Sequence, residues 1–209
     1  MKKHVALFFA CAAALAMSSS AAESAVQGPY ASVHGGISTL NDADAKVDEG
    51  VLEFDTDPGL ALTAALGYDF GGNVRLEAEG GYQQNDISQI NLKGLGGLKS
   101  SGEITSTSGL LNGYYDFTNI SSVTPFVSAG FGFTKVKIED VALLGEHIPG
   151  KTDGTAMAYQ VGGGFSYALN YNLALDLKYR YFSAIDLKLD DTEFDYSGHN
   201  VYGGIRASF

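Results

Sequence analysis

Charged side chains recur at every second position in two short runs, Arg75-x-Glu77-x-Glu79 and Asp176-x-Lys178-x-Arg180. With Arg206 and Asp116 they make four bases and four acids, a set that could line a selective pore or pair off within a closed space. A buried charge without a partner costs several kcal/mol, so pairing is expected wherever these residues are enclosed. Ser32 and His34 share the two-residue spacing of one strand face, yet no acid stands near them in the chain. Nucleophilic catalysis needs a base oriented by a third group, so no enzyme activity is expected. The sole cysteine, Cys11, excludes a disulfide framework and a cysteine-rich zinc site.

Two segments are strongly acidic. Residues 40–57 hold seven Asp and Glu against Lys46, and residues 186–196 hold five against Lys188. Asp42-Ala-Asp44 lacks the glycine and terminal Glu of a calcium loop at their spacings, so a solvated acidic surface is the expectation. The stretch Leu92–Ser101 is glycine-rich, but Leu98 precedes Lys99 where a phosphate loop needs glycine. No cofactor and no metal are expected. The apolar run Val141–Leu144 is either a lipid or host contact or a segment packed on its own rim.

The elements that hold these residues follow from period-two alternation, the mark of a strand with one apolar face. Leu173, Leu175, Leu177, Tyr179 and Tyr181 share one face, and Asp176, Lys178 and Arg180 the other. Val74, Leu76, Ala78 and Tyr82 stand opposite Arg75, Glu77 and Glu79 in the same way. A helix would mix both sets on every face. The same reading gives eight strands, at about 29–39, 58–70, 73–84, 103–117, 124–138, 154–169, 171–185 and 197–209. The connections alternate between short and long, the long ones being 40–57, 85–102, 139–153 and 186–196. An up-and-down meander has this pattern.

A soluble barrel would carry charge along the exterior of every strand. Here the segments 58–68, 104–115, 124–134 and 154–169 carry almost none, and their second face is small and polar, as at Ser128, Gly130, Gly132 and Thr134. Small polar residues inside and apolar ones outside describe a membrane barrel. Aromatic residues near strand ends (Tyr68, Phe70, Tyr115, Phe117, Phe126, Tyr167, Tyr171) are expected to form an interfacial girdle. The net charge of −11 argues against a nucleic-acid partner.

The first 22 residues read as a secretory signal: Lys2 and Lys3, an apolar run from Val5 to Met17, then Ser18–Ala22 as the small cleavage residues. That run is too short to span a bilayer, which takes about 20 residues. Cleavage after Ala22 leaves 11 basic against 24 acidic residues and no cysteine. The division is therefore 1–22 signal peptide and 23–209 barrel domain.

The stretches Tyr115-Asp116-Phe117, Thr124–Gly130, Gln160–Ala168, Leu175–Tyr181 and Gly204–Phe209 resemble the eight-stranded outer-membrane barrel family. That family includes opacity-type surface proteins and the barrel domain of outer-membrane protein A, and the overall pattern is most similar to the small Neisseria-type surface proteins. The resemblance implies an all-β, antiparallel, eight-stranded transmembrane barrel in the outer membrane of a Gram-negative bacterium. It also implies a C-terminal assembly signal, which maps onto Tyr202, Gly204 and Phe209, with Ala207 where an aromatic is common. The expected partners are outer-membrane lipids and lipopolysaccharide, the outer-membrane assembly machinery and a host-surface ligand. The expected role is structural and antigenic, with adhesion through the long loops. A small porin or a conduit for small solutes or apolar ligands is the alternative.

Overall fold

The computed structural model describes residues 27–41, 43–47, 50–92, 96–117, 122–143, 146–147, 152–189, 192–193 and 195–209. Side-chain surroundings are described for 27–41, 56–87, 102–117, 122–138, 152–188 and 195–209. The expected signal peptide, residues 1–22, lies outside the described residues, as do the surroundings of most of the acidic 40–57 side chains, the glycine-rich 92–101 stretch and the Val141–Leu144 run.

Eight strands form the wall: β1 (Gly28–Leu40), β2 (Gly59–Asp69), β3 (Val74–Leu92), β4 (Gly96–Asp116), β5 (Val123–Leu143), β6 (Thr152–Asn170), β7 (Leu173–Ile185) and β8 (Ser197–Ser208). Each pairs antiparallel with its chain neighbour. β8 then pairs with β1, so the sheet closes and leaves no open edge in the wall. Cross-strand partners trace the stagger of the barrel. From Asp116 the path runs through Phe126, Gly164, Lys178, Tyr202, Gly36, Ala61 and Gln83 to Ser106 on the starting strand, a shift from 116 to 106, or ten residues. Such a shear tilts the strands.

Tight turns hold one end. At Gly71-Gly72-Asn73 three successive residues take positive φ (70°, 57° and 80°), and the Gly71 amide donates to the Asp69 carboxylate at 2.8 Å. Glycine adopts this left-handed backbone without steric cost. The turn at Tyr171–Asn172 is closed by the Asn172 amide donating to Asn170 Oδ1 at 2.9 Å.

The other end differs from the sequence expectation. β3 to β6 run for 19, 21, 21 and 19 residues, against 13, 11, 13 and 12 for β1, β2, β7 and β8. Much of 85–102 and 139–153, expected as loop, is therefore strand. A hairpin within 40–57, Ala43–Val47 with Gly50–Thr56, adds itself to the edge of β3. The extra backbone would otherwise hold unpaired amides and carbonyls, and pairing satisfies them.

The faces follow the alternation. Leu66 and Leu111 are exposed outward at 70 % and 50 %, and Leu76, Leu175 and Leu177 lie on the same outer surface. Tyr68, Phe70, Tyr115, Phe117, Tyr167 and Tyr171 ring the turn end, with Tyr68 against Phe70 at 4.9 Å and Tyr115 against Phe117 at 5.2 Å between ring centroids. Phe126 is a correction: it is only 3 % exposed and faces inward, edge-on to Tyr114. Its parity with Ser128 places it there, and proximity to a strand end does not override parity.

Candidate functional site

The lumen contains all the charged side chains that the alternation assigned to it: Arg75, Glu77, Glu79, Asp176, Lys178, Arg180 and Arg206 are each buried, and Asp116 nearly so. Their partners come from different strands. On β3 and β4, Arg75 Nε and Nη2 donate to Asp116 Oδ2 and Oδ1 at 2.6 and 2.7 Å. The fork geometry suits guanidinium to carboxylate. The same guanidinium lies over the Tyr114 ring at 4.5 Å, with Phe126 and Tyr30 at 5.6 and 5.8 Å. On β8, Arg206 donates to Asp176 Oδ2 at 3.2 Å and to Ser166 Oγ at 2.7 Å.

Glu79 forms the cross-lumen clamp. Lys178 Nζ donates to its Oε2 at 3.2 Å and Arg180 Nη1 to its Oε1 at 2.5 Å. β3 and β7 are not neighbours in the wall, so these bonds span the interior. Arg180 Nη2 also donates to the Tyr202 hydroxyl at 2.6 Å, and the guanidinium lies 4.9 Å from that ring's centroid. Glu77 is held differently, by hydroxyl donors from Tyr30 (3.2 Å), Ser32 (3.3 Å) and Tyr114 (3.0 Å).

The tyrosines that hold this network were not singled out by the sequence reading. Their signal was the same parity that exposed the charges: Tyr30 and Ser32 alternate on β1, and Tyr114 lies two residues from Asp116. The chain makes room for two rings with glycines, since a Cβ at Gly67 would run into the Tyr30 ring and one at Gly204 into His34. Of the C-terminal trio, Tyr202 faces the lumen, Gly204 accommodates His34, and Phe209 is exposed outward.

His34 requires a second correction. No acid stood near it in sequence, but the fold sets its Nε2 3.6 Å from Asp176 Oδ2 and its Nδ1 3.4 Å from Thr63 Oγ1. Closure of the barrel brings β7 to β1 through β8, which chain distance does not reveal. Asp176 is shared with Arg206, so the carboxylate serves an ion pair as well as the imidazole. His199 lies on the outer surface, where Tyr179 Oη meets its Nδ1 at 2.7 Å and Tyr181 packs at 5.4 Å.

Toward the loop end the lumen turns apolar, where a small polar face was expected. Leu40, Ile87, Ile104, Leu110, Val136, Phe182, Leu187 and Tyr196 form one buried cluster. Leu187 and Tyr196 flank the acidic 186–196 segment and are 1 % and 2 % exposed, so this connection is tucked into the barrel mouth at both ends.

A closed eight-stranded wall, apolar outside and ion-paired within, has the features of a transmembrane barrel. Residues 7–209 match the family of the outer membrane protein beta-barrel domain. The chain belongs to that family. The outer membrane protein PagN of Salmonella typhimurium is 28 % identical over 225 residues, covering 93 % of this chain and 91 % of that protein. The crystal structure of Neisserial surface protein A superposes with a TM-score of 0.58 at 20 % identity, covering 90 % of this chain and all of the other. The outer membrane protein OprG from Pseudomonas aeruginosa gives 0.57 at 16 % identity, over 88 % and 98 %. At these identities the structural likeness speaks for the fold. The chain is an integral protein of the cell outer membrane.

Proposed function

We propose that this is an exported surface protein whose barrel is a closed anchor and whose loop-end outgrowth makes its contacts outside the cell. The observation that carries the reading is the Glu79 clamp, which ties β3 to Lys178 and Arg180 of β7 across an interior barely wide enough for side chains. A lumen crossed in this way is built for rigidity more than for passage. The long β3–β6 wall and the hairpin beside it then supply the material for an adhesive and antigenic surface, and the acidic loops sit among lipopolysaccharide phosphates through shared divalent cations.

Residues 1–22 direct export in this account, and Tyr202, Gly204 and Phe209 form the signal read by the outer-membrane assembly machinery. No catalytic role is assigned. The test uses cysteine variants on intact cells with a membrane-impermeant maleimide. Asp57→Cys and Asp195→Cys at the loop end should label, and Asn172→Cys at the turn end should not; the reverse pattern would invert the barrel. Replacing the 43–56 hairpin by a short turn should then abolish attachment to host cells without altering Asp195→Cys labelling. Unchanged attachment would remove the adhesive role from that hairpin.

A further inference from the structure

The clamp and the apolar cluster leave a middle stretch of lumen between them, and its polar groups are incompletely matched. Asn200 on β8 is fully buried, with neither its Oδ1 nor its Nδ2 partnered. Directly beside it in register, Arg180 uses both terminal nitrogens but leaves Nε without an acceptor. Gln160 donates to Asn112 Oδ1 at 3.1 Å, which leaves Gln160 Oε1 and Asn112 Nδ2 over. These residues are contiguous. Gly130 pairs with both Asn112 and Gln160, and Gln160 lies opposite Phe182, the next inward residue above Arg180. Buried polar groups in native proteins are nearly always satisfied, by protein or by ordered water. Apart from Arg180, whose charge Glu79 compensates, the unmatched groups are neutral amides offering donors and acceptors together. That chemistry suits an uncharged guest better than an ion.

The loop-end boundary of this stretch is Phe182 and the residues stacked on it. Tyr196 packs edge-on to Phe182 at 6.1 Å and donates its hydroxyl to Gln83 Oε1 on β3 at 3.3 Å. Leu187 completes the cluster from the other end of the same connection, just after Asp186, which takes a positive φ of 50°. A non-glycine residue in that region marks a sharp local turn, here one that sends Leu187 inward.

We propose that the lumen between the Glu79 clamp and the Phe182 level is a binding chamber for small neutral hydrogen-bonding molecules, of water to glycerol size, and that Leu187 and Tyr196 form the cap closing it from outside. The proposal rests on the closed-anchor reading at its turn end only. There the clamp is the floor of the chamber.

The test is solution NMR on the folded barrel in lipid nanodiscs, read at the side-chain amides of Asn112, Gln160 and Asn200. In the unmodified protein these amides should show cross-relaxation to long-lived internal water, and added glycerol should leave their resonances in place. In Tyr196→Ala, folded as judged by heat-modifiable gel mobility, glycerol should shift them; Leu187→Ala is the second opening variant should the first not fold. Tyr196→Phe keeps the ring and should behave as the unmodified protein. Absence of water contacts in the unmodified protein would overturn the chamber. Glycerol shifts of equal size with and without the cap residues would overturn the cap, and no shift in either opening variant would overturn the guest class. Failure of the closed-anchor reading is read separately, as steady ion conductance.

Discussion

Glu79 receives two cations from across the barrel, so its removal strands both Lys178 and Arg180 in a buried interior. Taking one partner from a buried ion pair costs about 3–5 kcal/mol because the remaining charge is uncompensated. Glu79→Gln should therefore destabilise the barrel by about that amount in urea titrations from lipid vesicles. Adding Lys178→Met and Arg180→Met should restore part of the loss, whereas additive losses would show that the clamp is not a coupled unit. Lys135 and Asp153 offer the contrast: their contact is 2.6 Å, but both side chains are more than two-fifths exposed. An exposed pair contributes within about 1 kcal/mol, so Lys135→Ala should leave stability almost unchanged. The nine unpartnered buried polar atoms among the described residues belong at this scale too. Each would cost roughly 1–3 kcal/mol if left dry, a sum comparable to the ~5–15 kcal/mol stability of a whole domain. Sequence parity placed the charges inside, but it could not assign partners. Asp176 meets His34 and Glu79 meets Arg180 only because the sheet closes, and closure is a property of the register rather than of any local segment.

At the scale of the strand, the same two-residue period decides which substitutions the membrane feels. Leu111 is outward, four residues from Tyr115 of the turn-end girdle. That is about 13 Å along a strand, close to half of a lipid-facing band ~25 Å tall. Leu111→Arg should cost about 2–4 kcal/mol in folding titrations in lipid, and Leu111→Ala far less. Equal tolerance of the two would contradict the assigned face. The strand cores were legible for a simple reason: Val74–Tyr82 and Leu173–Tyr181 alternate without interruption. Their outer ends were not. Beyond Gln84 the segment reads as polar, yet Ile87 continues the inward parity and meets Ile104 and Val136 in the buried cluster. Glycines at 94, 96 and 97 and the acids of 40–57 read as turn and loop chemistry, and their strands form by adding to an existing edge, which no single segment reveals. Excess length in β3–β6, roughly eight residues over the other strands, corresponds to about 25 Å of extra wall on one side of the barrel.

For the whole molecule, the closed register, the apolar exterior and the family match place the chain in the outer membrane. Eight-stranded barrels have interiors that side chains can fill, and here the filling is layered. Arg75 with Asp116 and Arg206 with Asp176 lie toward the tight turns, the Glu79 clamp stands above them, and the Leu187–Tyr196 cluster seals the far end. The eight-strand count and the inward charges could be read from the sequence, because period and parity are local. The apolar seal could not, because Leu187 and Tyr196 sit in a segment whose five acids read as solvated loop. The central claim is that these layers close the barrel to ions, and planar-bilayer recording of the purified, folded protein tests it most directly. The account predicts little or no steady conductance in the unmodified protein, with brief openings becoming more frequent in Glu79→Gln. Large, stable currents from the unmodified protein would contradict it and identify the barrel as a pore.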